Sequence, residues 1–329
     1  MKRASNIELL RIVAMMMIVL LHANYYSIGG VSPEDVEVFD IGIFLKAVAE
    51  QLCIIGVNLF VLISGWFGIR PSVKGAVSLM FQVWFFNLMI AGIMFCLGQP
   101  VSMQGILDVM LLKDCYWFVV AYLVLYALAP VLNAFIEKAT SRQYLNVILA
   151  FLGFEFVFGW IMPLEAAGFN RGHSAISFIG LYLLAGYLKR HSVQLLNYSV
   201  HKNLMLYLVC TVASVALYFF TRKHLGIMFY SSPFVIAASV FFFLAFNKMS
   251  FSSRIVNYLA CSAFSIYLIH MHPLVSPHFR TMMNWGYDLM GGWLYVLFAV
   301  AFAVVFGLAC VMLDKVRIWV WGIFVKRLK

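Results

Sequence analysis

Apolar and polar positions alternate along this chain on the length scale of a lipid bilayer. Apolar runs lie near 7–27, 43–68, 75–97, 117–136, 143–162, 175–188, 203–221, 226–246, 255–272 and 292–314, with short polar connections between them. A helix needs ~20 predominantly apolar residues to cross hydrocarbon, where the backbone must satisfy its own hydrogen bonds. The pattern predicts an all-α, polytopic transmembrane helix bundle of about ten spans. No internal repeat and no Gly/Ser-rich or charge-block linker divides it, so residues 1–329 read as one integral-membrane domain. Two segments depart from the simple count. Residues 101–112 are too short to span and fit the outer interface, and the run 174–188 is short for a full crossing. If that run only dips into the membrane, the topology after it inverts.

Composition removes the alternatives. Of 329 residues, 64% are hydrophobic and 11% charged, and the mean hydropathy is +0.95; a soluble domain is roughly half apolar and about a quarter charged. The excess of 23 Lys and Arg over 13 Asp and Glu is explained by topology rather than by nucleic acid. With the N-terminus in the cytoplasm, most basic residues fall on cytoplasmic segments, while the outer loops hold only Lys113, Arg171, Arg222, Lys223 and Arg280. This is the positive-inside asymmetry, and it places both termini in the cytoplasm. The first apolar run contains Glu8, Arg11 and His22 and lacks a small-residue cleavage site, so it is expected to remain as the first span. The six cysteines show no paired spacing and read as core residues, with no structural metal.

Ionisable groups inside spans are costly and should face the bundle interior or a water-filled cavity. Arg11 and His22 are 11 residues apart, which on a helix puts them on one face about 16 Å apart. Glu8, three residues before Arg11, joins that face within ion-pair reach. A planar, permanently charged guanidinium suits phosphate or carboxylate, and an imidazole can take a proton from a hydroxyl near neutral pH. The stripe therefore suits group transfer from an anionic carrier; an interhelical polar clamp is the alternative. Lys46 and Glu50 are spaced to pair with each other. Asn58 is placed for an interhelical hydrogen bond. Glu155 has no partner in its local sequence, and is either neutral, paired across helices or lining an acceptor path. Arg70 and Lys74 follow the second span, where charge bias alone accounts for them; binding a cytosolic phosphate is the sharper reading. His270 and His272 face different sides of a helix and make a poor metal pair, leaving one to line a cavity. His173, His191, His201, His224 and His278 read as solvated.

Four blocks occur in order: NIELLRIVAMMMIVLLH (Asn6 to His22), GVNLFVLISGWFGIR, DCYWFVVAYLVLYALAPVLN and SAFSIYLIHMHP. Together they resemble the membrane acyltransferase 3 family of polysaccharide O-acetyltransferases, over most of the chain. The resemblance implies an enzyme of the bacterial cytoplasmic (inner) membrane that carries an acyl group, usually acetyl, from acetyl-CoA to a carbohydrate or lipid-linked glycan at the outer face, without metal or nucleic acid. It implies Arg11 and His22 as catalytic residues with Glu8 beside them, and Arg70 with Lys74 as the CoA contact. Many relatives carry a more arginine-rich loop at that point. Asn58, Tyr122, Glu155 and His270 are the candidate acceptor contacts. A transporter or flippase of a small anion or lipid-linked sugar is the rival from another class, although no inverted repeat or pair of broken helices supports it. A second rival is the membrane half of a racemase or sensor, whose soluble half this sequence lacks.

Overall fold

A computed structural model describes residues 4–327 except 33, 38, 114, 192–193 and 222–228. It is 82% helix, and no strand occurs among the described residues. The helices are α1 Ser5–His22, α2 Ile41–Ile54, α3 Gly56–Phe67, α4 Val73–Cys96, α5 Met103–Met110, α6 Trp117–Lys138 and α7 Ser141–Phe154. They are followed by α8 Ala175–Arg190, α9 Val200–Phe220, α10 Pro233–Lys248, α11 Arg254–Ala260, α12 Ala263–His270, α13 Ser276–Met290 and α14 Gly292–Arg327. Helix starts are marked chemically. The side chains of Asp40, Ser72, Ser102, Ser174, Ser199 and Ser253 each accept a hydrogen bond from an N–H in the first turn, and Thr140 and Gln143 form a reciprocal capping box. Each such oxygen satisfies a donor that the helix itself leaves unpaired.

Seven helical runs are long and apolar enough to cross a membrane, among them Ser5–Gly29, Ile41–Phe67 and Gly292–Phe324. Three of the ten expected crossings are shorter or interrupted: α8 has 16 residues, α10 has 16, and the run 255–272 divides into α11 and α12. The segment 101–112 contributes only the eight-residue α5, packed on α4. Large apolar side chains such as Phe95, Phe220, Ile255, Trp293 and Val305 are exposed around the outside, which is stable where the solvent is hydrocarbon.

In such a solvent apolar burial gives little drive between helices, and close approach through small residues replaces it. Helix α3 shows this on two sides. A Cβ at Gly56 would lie 2.8 Å from the Ala14 carbonyl oxygen of α1, and one at Gly65 would lie 2.8 Å from Tyr182 Cα of α8. Helix α3 is thereby clamped between α1 and α8, antiparallel to α1, so that Ser64 comes level with Arg11 and Val57 with His22. At its end the backbone of Ile69 is held by a closed ring of hydrogen bonds. Its N–H donates to Tyr182 Oη (2.9 Å), that hydroxyl donates to Asn133 Oδ1 (2.6 Å), and Asn133 Nδ2 donates to the Ile69 carbonyl (2.8 Å). Tyr126 Oη holds Ser72 in the same way from α6. Arg70 therefore sits on a loop fixed by two other helices.

The cysteines differ from expectation. None of the six forms a disulfide, and the core reading holds for Cys310, which is buried, but not for Cys96 and Cys261, which are exposed.

Candidate active site

The stripe on α1 forms as its spacing requires, but it opens onto two adjoining cavities rather than one. Arg11 Nη1 donates to Glu8 Oε1 at 2.8 Å, with Glu8 buried and the arginine side chain 36% exposed. The guanidinium lines a cavity of about 280 Å³ together with Ser64, Gln82, Tyr122 and Cys261. His22 lines a second, of about 70 Å³, with Tyr26, Trp117, His173, Tyr230 and Tyr267. Phe60, Phe118 and Phe264, from α3, α6 and α12, line both. The backbone positions of the two residues are about 16 Å apart along the helix, and their side chains line different cavities. The single face that the spacing predicts is thus divided between two cavities that share three rings.

At the His22 end the chemistry is set by a second histidine. His22 Nδ1 and His270 Nε2 are 2.8 Å apart, and His270 Nδ1 is 2.6 Å from the Ile266 carbonyl oxygen. A carbonyl only accepts, so His270 Nδ1 carries the proton and, in the neutral pair, its Nε2 accepts from His22 Nδ1–H. The lone pair of His22 then resides on Nε2. His270 is 1% exposed. It is thus a buried partner of His22 rather than an acceptor contact. His272 turns elsewhere, its Nε2 at 3.2 Å from Asn87 Oδ1.

Helix α1 does not end at His22 but continues as a seven-residue π-helical turn, Ala23–Gly29. Such wide turns recur beside functional sites because they re-aim side chains. Here Tyr26 packs edge-on against the His22 ring at 5.0 Å, and the Arg280 guanidinium lies 5.6 Å from the Tyr26 ring centre. The turn is pinned by Tyr295 Oη to the Ala23 carbonyl (2.8 Å) and by Ser27 Oγ to the His22 carbonyl (3.2 Å). Opposite stands His173, against Trp117 and Tyr230 at 4.7 and 4.6 Å between ring centres. It is not solvated as expected; burial pushes its pKa below the ordinary histidine value. His191 is likewise packed, on Tyr144 and Tyr187, whereas His201 and His278 are exposed and His224 lies outside the described residues. The Tyr267 hydroxyl, buried in the wall of the chamber, has no acceptor for its proton among the described residues.

The remaining sequence candidates divide. Tyr122 is in the Arg11 cavity, its hydroxyl 3.4 Å from Ser64 Oγ. Arg70 and Lys74 are exposed beyond that cavity, at the end of α3 and the start of α4. Asn58 and Glu155 go elsewhere: Asn58 Nδ2 donates to the Tyr230 carbonyl (3.2 Å), Glu155 accepts from Ser177 Oγ (2.8 Å), and both border a separate void of about 10 Å³. Lys46 and Glu50 do not pair with each other. Lys46 Nζ donates to the Gly29 carbonyl (2.6 Å) and Glu50 accepts from Asn24 Nδ2 (2.7 Å), because the π-helical turn presents partners that the helix spacing could not reveal. They border a larger cleft of about 660 Å³ between α1, α2 and α14, on the far side of α1 from the histidine pair. Among the described residues no cluster of three or more His, Cys, Asp or Glu is placed to hold a metal ion. Tyr26, His173 and Arg280 carry no motif signal, and Tyr267 lies in the block SAFSIYLIHMHP; only the fold brings the four to the surroundings of His22.

Neither curated proteins nor solved structures give a match to this chain. A family model described as an acyltransferase domain matches residues 5–312, which contain every group described above. An oriented histidine beside a chamber that adjoins a cationic cavity is an arrangement suited to acyl transfer, and by this match the chain belongs to the membrane acyltransferase 3 family.

Proposed function

We propose that this membrane acyltransferase moves an acetyl group from acetyl-CoA to a hydroxyl of a carbohydrate or lipid-linked glycan. The observation that carries the reading is the hydrogen-bonded pair His22–His270 at 2.8 Å, which leaves His22 Nε2 with its lone pair in the wall of a chamber. His22 Nε2 takes the acceptor proton as its oxygen attacks the thioester carbonyl carbon. The tetrahedral intermediate then collapses, the carbon–sulfur bond breaks, and the CoA thiolate recovers the proton from His22. His270 is a positioning residue that keeps the base in one tautomer. Tyr267 donates its otherwise unused hydroxyl proton to the carbonyl oxygen as charge develops there.

Arg11, held by Glu8, binds the polar arm of the donor within the larger cavity, and Arg70 with Lys74 binds its phosphates. The closed hydrogen-bond ring around Ile69 supports this assignment, since it fixes the Arg70 loop. The basic bias of the segments on the Ser5 side supports a cytoplasmic donor, cytoplasmic termini and an acceptor at the outer face of a bacterial inner membrane.

The test uses purified protein in detergent with radiolabelled acetyl-CoA. Glycan-dependent release of CoA is expected, and a transporter would show none. His22→Ala should lower the rate about 10³-fold, within the range for loss of a general base. Unchanged glycan acylation by a folded His22→Ala protein removes the mechanism.

A further inference from the structure

Resting on that reading, we infer that Phe60, Phe118 and Phe264 form an aromatic constriction that sets the length of the acyl group the enzyme accepts. Each of these rings borders both cavities. Phe118 is the hub: its ring centre lies 6.2 Å from that of Phe60 in an edge-to-face pose and 6.4 Å from that of Phe264. Tyr122 stacks on it at 5.9 Å and 15°, and Tyr267 meets it edge-on at 6.0 Å. Spacings of 4.5–7 Å are those of attractive aromatic pairs, so the rings support one another across three helices. A thioester held on the Arg11 side would pass these shared rings to reach His22.

Beyond the rings the space is small. The chamber of about 70 Å³ is a quarter of the neighbouring cavity of about 280 Å³, room for a handful of water-sized groups at ~10–15 Å³ each. An acetyl group with one attacking hydroxyl fits that size class. A six-carbon chain does not, unless a ring moves. The constriction therefore selects short acyl groups.

The experiment compares acetyl-, butyryl- and hexanoyl-CoA as donors for the wild type, Phe264→Ala, Phe60→Ala and the milder Phe60→Leu. Melting in detergent identifies the folded variants. The wild type is expected to prefer acetyl over hexanoyl by at least 100-fold, and the alanine variants to shift that ratio towards hexanoyl by at least tenfold, with Phe60→Leu intermediate. Cys261, exposed in the Arg11 cavity, supplies a reading independent of transfer. Both acetyl- and hexanoyl-CoA should slow its alkylation by a maleimide, which places the discrimination at the rings and not at donor binding. Protection by both donors with an unaltered ratio in folded variants overturns the constriction and leaves the transferase reading standing. Absence of protection by either donor removes the bound thioester, and with it both readings.

Discussion

A histidine placed in an apolar span can be a base, a ligand or a hydrogen-bonded structural group, and its neighbours decide which. The neighbour of His22 is His270, whose other nitrogen is committed to the Ile266 carbonyl. His270→Phe is expected to lower kcat by about 10²-fold or more, as loss of an orienting partner does to a catalytic imidazole, and to alter the pH profile of kcat. His270→Gln, whose amide oxygen can accept from His22 Nδ1–H, should recover part of the loss; equal activity of both variants and the wild type would show that the pair is structural. Tyr267→Phe removes a single oxygen and should lower kcat with KM little changed, whereas an effect confined to melting temperature would assign the hydroxyl to packing. Arg11→Lys keeps the charge and loses the planar fork, so KM for acetyl-CoA should rise more than kcat falls. Of these residues, Arg11 and His22 were legible because an 11-residue separation on a helix is a geometric statement. The bond between His22 and His270 was not, since 248 residues separate the two histidines and no periodicity encodes that meeting, and Tyr267 stood in a quoted block with nothing to place it beside His22.

At the scale of elements, helix existence was readable and helix continuity was not. Hydropathy gives the long runs, but it is indifferent to the π-helical turns Ala23–Gly29 and Glu155–Ile161 and to the break between α11 and α12. These features redirect side chains, which is why the expected Lys46–Glu50 pair dissolved and Glu155 found Ser177. The glycines of α3 are a second unread layer. Their meaning appears only once α1 and α8 lie against them. Gly65→Val should cost about 1–3 kcal/mol, the range for overpacking a tight interior, because its added atoms meet the backbone at Tyr182 rather than a side chain able to swing away. The measurement is thermal melting in detergent; a melting temperature equal to the wild type would mean that α3 and α8 are further apart than described.

For the whole molecule, the all-helical membrane architecture followed from composition and run length alone, while the partition of its interior did not, because cavities depend on which side chains from distant helices converge. Orientation has its own test. Cysteine-labelling or reporter fusions at residue 329 should find the C-terminus on the cytoplasmic side of the membrane; a C-terminus found outside would reverse the direction of transfer and move the donor cavity away from cytosolic CoA.

One consequence remains in α14. Its 36 residues make a rod about 54 Å long at ~1.5 Å per residue, against a hydrocarbon layer ~30 Å thick. Even a steep lean cannot hide that difference. Towards its far end Arg317 donates to Asp314 through two contacts of 2.8 and 2.9 Å in a pair buried by the protein, and Trp319 is exposed. A rod of that length outruns the hydrocarbon, so part of α14 passes through the headgroup layer or beyond it, where its backbone and polar side chains meet water again.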